Sequence, residues 1–340
     1  MMNSIERVQC ALERKQPDRV PHFEWMVDVK VREALFPGLS DPLEFYDRMD
    51  WDAVITDAWY AKEKAGEGRW LSEWGFVIQD TGEEHGVEVE SPIKTREDFE
   101  RYQPPDPHAP GRFTPIEEAL EKYGSRRAVI VHLNDVFTLP RYLMGMQDLL
   151  KATIKDPELV RSLVELSVDI NLELAQEVAA RGVKIVFTGD DYAYNAGPLM
   201  SPAHFRELFY PGLKRVMGGF KDLGLYVIKH SDGNLWPILD MIIDTGIDCL
   251  DPIDPLGGMD LAEVKEKYGD RVALKGNVDC AQLMTFGTRD EVIQATRTAL
   301  NKGMPGGGYI LSSSNSIHSA VPPENYLALV ETWREYGSYS

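Results

Sequence analysis

From residue 116 to its end the chain repeats one pattern, a short apolar run followed by a segment of helical spacing. The apolar runs fall at 128–131, 183–187, 225–228, 248–250, 271–274 and 309–311. The helical segments lie near 141–154 and 157–181, then near 202–222, 234–245, 260–268, 288–302 and 323–335. A helix between two strands lets the second strand run in the direction of the first, so the alternation predicts parallel strands with helical crossovers. Shorter runs at 22–27 and 53–56 bring the strand count to eight. Eight such strands favour an α/β architecture of the (β/α)8 barrel type, spanning 1–340 as one domain. An open doubly wound sheet is the competing arrangement. The segment 69–90 breaks the pattern and reads as hairpin strands around Asp80-Thr81-Gly82. With the proline-rich stretch 103–115, it forms an expected insertion over about 66–115.

Composition narrows the function classes. The chain carries 36 Lys plus Arg against 55 Asp plus Glu, a net charge of -19. Phosphate backbones and anionic membranes attract clustered cations, so neither nucleic acid nor a membrane surface is an expected partner. No apolar run reaches the length of a membrane span, and the first residues lack a signal-type apolar core. Three cysteines (Cys10, Cys249, Cys280) are too few for a disulfide framework and read as reduced thiols, which points to the cytoplasm.

In a barrel of this kind, chemistry sits just past the C-terminal strand ends. Polar residues gather there: Asp57; His132, Asn134 and Asp135; Asp190 and Asp191; His230, Ser231 and Asp232; Asp251 and Asp254; Asn277; and 312–318. Asp190 and Asp232 have an alternative reading as helix caps. His132, directly after an apolar run, reads as a satisfied core histidine. His230 is the better functional candidate, because the turn Ser231-Asp232-Gly233-Asn234 exposes its ring. Trp25, Trp59 and Tyr60 either line an aromatic pocket or pack structurally. No phosphate-binding glycine fingerprint, C-x-x-C, H-E-x-x-H or G-x-S-x-G occurs.

Six segments in order carry a family likeness: 7–21, 138–145, 195–202, 229–234, 276–279 and 321–325. On these the chain resembles the uroporphyrinogen decarboxylase superfamily over essentially its whole length. The resemblance implies a (β/α)8 barrel and one of two chemistries. One is decarboxylation of uroporphyrinogen without a cofactor. The other is methyl transfer to or from a corrinoid protein, with zinc in the barrel mouth.

The decarboxylase branch has an arginine-rich segment after its first strand. This chain has His22-Phe23-Glu24-Trp25-Met26-Val27-Asp28 there, and Asn315 where that branch has a late histidine. A poly-acid substrate needs Arg forks, and an acidic protein repels it. Tyr142 does match that branch's tyrosine.

The thiol-methylating branch has H-x-C and a later cysteine as zinc ligands. Here those positions read His230-Ser231-Asp232 and Ser312-Ser313-Ser314-Asn315. A zinc ion would then have one imidazole and oxygen ligands, drawn from Asp190, Asp191, Asp232, Asp251, Asp254 or Glu24. The expected set is His230, Asp191, Asp251 and Asp254. Such a hard shell leaves zinc more Lewis acidic, suited to polarising an ether oxygen.

The resemblance thus implies the methyltransferase of a corrinoid-dependent O-demethylase system. Its partners would be a small-molecule methyl donor, a methoxylated aromatic, and a separate corrinoid protein carrying the cobalamin. Family barrels often pair, which implies a homodimer. Expected catalytic residues are His230, Asp191, His318 and Tyr142. Expected substrate contacts are Glu24, Trp25, Trp59, Tyr60, Asn134, Phe137, Tyr194, Asn277 and Asn315. Alternatives are a metal-free decarboxylase and a non-catalytic partner of the corrinoid protein.

Overall fold

The computed structural model describes residues 2–39, 41–83 and 86–339. Its strands, in chain order, are β1 (Ala53–Asp57), β2 (Lys62–Gly66), β3 (Arg69–Ser72), β4 (Val77–Gln79), β5 (Val87–Glu90), β6 (Ala128–Leu133) and β7 (Ile185–Thr188). They continue as β8 (Ala193–Tyr194), β9 (Gly197–Pro198), β10 (Tyr226–His230), β11 (Cys249–Asp251), β12 (Ala273–Val278) and β13 (Tyr309–Ser313). Seven of them form one parallel sheet in the order β1-β6-β7-β10-β11-β12-β13. The sheet is curled, with helices connecting its strands. Ala128 to Val131 are all buried, as a parallel strand covered on both faces requires.

The expected strand near 22 is not a strand. Its segment lies between the two edges of the sheet: Pro21 O accepts from Leu311 N, and His22 O accepts from Asp52 N, each at 2.9 Å. Pairing is reduced to isolated parallel bridges, His22 with Leu311 and Val27 with Ile317. Two features interrupt the ladder. Pro21 has no N–H to donate. The Glu24 carboxylate takes the Ser313 N–H at 3.0 Å, which a backbone carbonyl would otherwise accept.

The expected hairpin is larger than its sequence signature. β2, β3, β4 and β5 form a four-stranded antiparallel sheet. The sequence of β2, Lys-Glu-Lys-Ala-Gly, is exposed along its length and has no apolar alternation to mark it. Helix Arg96–Arg101 follows, and helix Thr114–Tyr123 ends the proline-rich stretch.

Two helices also depart from expectation. Residues 202–222 contain a π-helical turn, Phe205–Phe209, before helix Tyr210–Asp222. Pro211 lacks the N–H that would bond to the carbonyl of Glu207, so the ladder shifts there. The segment 234–245 keeps only Leu239–Ile243 as helix, because Pro237 disfavours a helical Trp236. By contrast, Pro157–Ala180, Arg289–Gly303 and Pro323–Tyr336 match expectation within a residue or two. Among the described residues, no helix is long and apolar enough to cross a membrane.

Candidate active site

The C-terminal strand ends open into a cavity of about 480 Å³, a size suited to a small molecule. One side is aromatic: Trp25, Tyr60, Trp70, Trp74, Phe76 and Phe187 line it. The antiparallel sheet supplies Trp70 and its β3–β4 turn supplies Trp74 and Phe76, so this excursion from the alternating pattern is a wall of the site. Trp25 stacks on Phe187 at 4.6 Å, and Phe76 stacks on Tyr142 at 4.6 Å. Arg112 lies over Tyr60 at 4.3 Å.

The other side is acidic and centres on His230, the last residue of β10. Its register partner on β11 is Asp251. Asp251 Oδ2 accepts from His230 Nδ1 at 2.5 Å, which fixes the tautomer and turns Nε2 toward the cavity. There Nε2 lies 3.5 Å from Asp191 Oδ1 and 3.5 Å from Asp232 Oδ1. These three ligand atoms lie within 4.8 Å of one another. Asp232 Oδ1 is buried and has no hydrogen-bond partner among the described residues. Its other oxygen accepts from Asn315 Nδ2 at 2.5 Å, and Asp191 Oδ1 accepts from Asp232 N at 3.0 Å.

Three carboxylates crowd the His230 ring at this point. Burial alone would push the His230 imidazolium to lower pKa, but Asp232, Asp251 and Asp191 outweigh it and hold the ring up at about 9. Asp232 is raised to about 7, by burial first, against the pull of His230 and with the push of Asp191. One imidazole nitrogen and two carboxylate oxygens, one of them the orphaned Asp232 Oδ1, form a donor set that fits zinc.

Buried lysines hold this arrangement. Lys275 Nζ bonds Asp251 Oδ1 at 2.7 Å and Ser312 Oγ at 3.0 Å. Burial raises Asp251, but Lys275 and His230 overcome that and keep its pKa below the usual range. Lys229, next to His230, pairs with Asp135 Oδ2 at 3.0 Å, both side chains being fully buried. Its ammonium also donates to the carbonyls of Asp190 and His230. Asp190 accepts from the backbone N–H groups of Asp135, Phe137 and Thr138, and Tyr192 OH bonds Asp135. Burial lifts Glu24 to about 7, despite Lys275 and its bonds from Ser313.

Of the residues expected from sequence, Glu24, Trp25, Tyr60, Asn134, Tyr142, Asp191, His230, Asp251 and Asn315 line the cavity. The others lie elsewhere. Asp254, expected as a ligand, accepts from Gly233 N and Leu256 N instead. Asp251 lies on the Nδ1 side of His230, and Asp232 is the carboxylate beside Nε2 together with Asp191. Phe137 is buried against Tyr192 and Phe209. Trp59 and Tyr194 are exposed. Asn277 bonds the carbonyl of Ile253. His318 is bonded to Thr285 outside the cavity lining.

Sequence reasoning missed the Trp70–Trp74–Phe76 wall and the bond between His132 and Asp57 (2.6 Å). Both members of that pair stand at strand ends, which was visible; that their strands are neighbours in register was not.

The family model described as Uroporphyrinogen decarboxylase (URO-D) matches residues 78–336. The methylated-thiol–coenzyme M methyltransferase of Methanosarcina mazei is 25% identical over 223 residues, 65% of this chain and 56% of that protein. This chain thus matches little more than half of that relative's length. The uroporphyrinogen decarboxylase of Psychromonas ingrahamii is 24% identical over 85% of this chain and 80% of its own length. The methylcobamide:CoM methyltransferase MtaA of Methanosarcina barkeri is 25% identical over 77% of this chain and 78% of its own. A solved methyltransferase structure from Methanosarcina mazei superposes with a TM-score of 0.77 at 20% identity, covering 99% of each chain. That last likeness is one of fold.

Proposed function

The chain belongs to the uroporphyrinogen decarboxylase (URO-D) family, and on that premise we propose that it moves a methyl group from a methoxylated aromatic compound to the cobalt of a separate corrinoid protein. The observation that carries this reading is the His230–Asp191–Asp232 cluster at one side of an aromatic cavity.

Asp191, His230 and Asp232 would hold zinc. Zinc bound there supplies Lewis acidity to an ether oxygen, so that the methyl carbon is open to a cobalt(I) nucleophile. The chain's own residues do the rest. Trp25, Tyr60 and Trp74 receive the ring and exclude water. Asp251 keeps the His230 Nε2 lone pair aimed at the cluster, and Lys275 neutralises Asp251. Asn315 orients Asp232. Lys229 ties the backbone of Asp190 to that of His230, so Asp191 and His230 keep their spacing.

The charge balance of the cavity disfavours a poly-acid substrate. Five carboxylates line it (Glu24, Asp57, Asp191, Asp232, Asp251), against Lys62, Arg141 and the already paired Lys275. Tyr142 in the lining favours the second reading, metal-free decarboxylation of a small acid.

Elemental analysis of wild type and His230→Ala, with an assay for methylation of cob(I)alamin by methyl aryl ethers, separates the two. About one zinc per chain, absent from the variant, together with ether-dependent methylation is the expected result. Wild type that binds no zinc from zinc-containing buffer and methylates no cobalamin would sink the proposal.

A further inference from the structure

We infer that Asp57 and His132 form a second acid–base device in this cavity, with His132 Nε2 donating the proton that the departing oxygen of the methyl donor takes up. The inference rests on the methyl-transfer reading above and assigns a step that the reading leaves without a residue.

The geometry repeats that of His230. On β10 and β11, the imidazole of one strand end is tied through Nδ1 to the carboxylate of its register partner. On β6 and β1 the same occurs: His132 and Asp57 are register partners, and Nδ1 lies 2.6 Å from Asp57 Oδ1. Both rings stand against Phe187, His132 at 6.2 Å and His230 at 5.7 Å between centroids. Trp25 presses edge-on against His132 at 4.5 Å and holds its plane.

With Nδ1 committed to Asp57, Nε2 is the atom left to act. It faces Gly189, where an added Cβ would come within 2.9 Å of it. The missing side chain therefore keeps a notch open beside Nε2, two residues before Asp191, and Gly189, His132, Asp191 and His230 line one cavity. The Asp57 side chain is 62% exposed and that of His132 19%, so the pair can regain a proton from solvent. Two other candidates for the role, Glu24 and His318, are occupied or remote. Both Glu24 oxygens accept from Ser313 N. His318 lies outside the lining.

The step balances without a further reactant. The methyl carbon–oxygen bond breaks and its electron pair stays on oxygen. Cobalt(I) gives two electrons to the new cobalt–carbon bond and becomes formally cobalt(III). The proton leaves His132 Nε2 for the oxygen, giving a phenol and a neutral imidazole whose Nδ1–H still bonds Asp57. A proton from solvent restores the imidazolium.

A general acid matters most when the leaving group is poor. The test uses the zinc-supplemented protein, free cob(I)alamin, and two ethers, anisole and para-cyanoanisole, with methylcobalamin formation followed by absorbance. His132→Gln should slow the anisole reaction at least ~100-fold and the cyano ether less than ~10-fold. Its zinc content and melting temperature, measured alongside, should match wild type. Asp57→Asn should move the His132 Nδ1 proton upfield in NMR and give a smaller loss with the same leaving-group dependence.

Equal losses on both ethers, or a raised KM with unchanged kcat, would overturn the proton role while leaving methyl transfer intact. Wild type that holds zinc yet methylates cobalamin from neither ether would overturn the methyl-transfer reading, and the inference with it.

Discussion

Replacing Asp251 by Asn separates two things this carboxylate does. It orients His230 and it neutralises Lys275, with both Asp251 and Lys275 side chains only 2% exposed. Losing the first function leaves the His230 ring free to present N–H instead of a lone pair to Asp191 and Asp232. Partners of this kind are worth ~10–100-fold in metal affinity. Losing the second leaves the buried Lys275 ammonium without its counter-charge, its bond to Ser312 Oγ remaining, a defect of about 3–5 kcal/mol.

For 340 residues, an unfolding entropy of ~2.1 cal/mol/K per residue converts that to a drop in Tm of about 4–7 °C. Asp251→Asn with Lys275→Met removes the stranded charge. The double variant should therefore recover most of the lost Tm while its zinc affinity stays low. Calorimetry reads the first quantity, and competition with a chromophoric chelator reads the second. Zinc affinity equal to wild type in Asp251→Asn would refute the orienting role. Failure of the double variant to regain Tm would refute the charge argument.

Further outcomes follow from the same structure. His230 is held at about 9 against an ordinary 6.5; the stability it gives the metal-free protein is whole below 6.5 and lost as pH rises through 9, about 3 kcal/mol in all. Zinc bound at Nε2 would displace that proton, so its apparent affinity should tighten ~10-fold per pH unit between 7 and 9; a flat titration would contradict it. His22, buried and pushed down to about 3 by burial, is neutral when folded, so its contribution is lost as pH falls below 6.5. The Tm advantage of wild type over His22→Asn should shrink by the equivalent of about 2 kcal/mol from pH 6.5 to 5; a constant difference would count against it. Trp74→Ala removes one aromatic wall and should raise KM for a methyl aryl ether ~2–10-fold with a smaller change in kcat; an unchanged KM would place the ring elsewhere.

The legible parts of the fold were those written in local periodicity. The runs at 128–131 and 309–311 appear as β6 and β13, and the long amphipathic segments appear as Pro157–Ala180 and Pro323–Tyr336. Legibility failed where a distant group replaced a local one. The Glu24 carboxylate stands in for a ladder carbonyl at Ser313, and the exposed β2 pairs without an apolar stripe. In the candidate site, His230 and Asp191 could be singled out as strand-end residues and are brought together. Trp59 and Tyr194 sit at comparable positions in sequence and face outward.

The spacing of apolar side chains along a few turns of chain settled the alternation of strand and helix, and with it the edge of the sheet where polar residues collect. It did not determine which carboxylate meets which nitrogen. Asp251 and Asp232 both lie near His230, yet one takes Nδ1 and the other faces Nε2; Asp57 finds His132 across 75 residues of chain. Those choices depend on register between neighbouring strands and on how each side chain leaves its strand end. Only the assembled sheet decides both, since no local pattern encodes the neighbour that a strand will have.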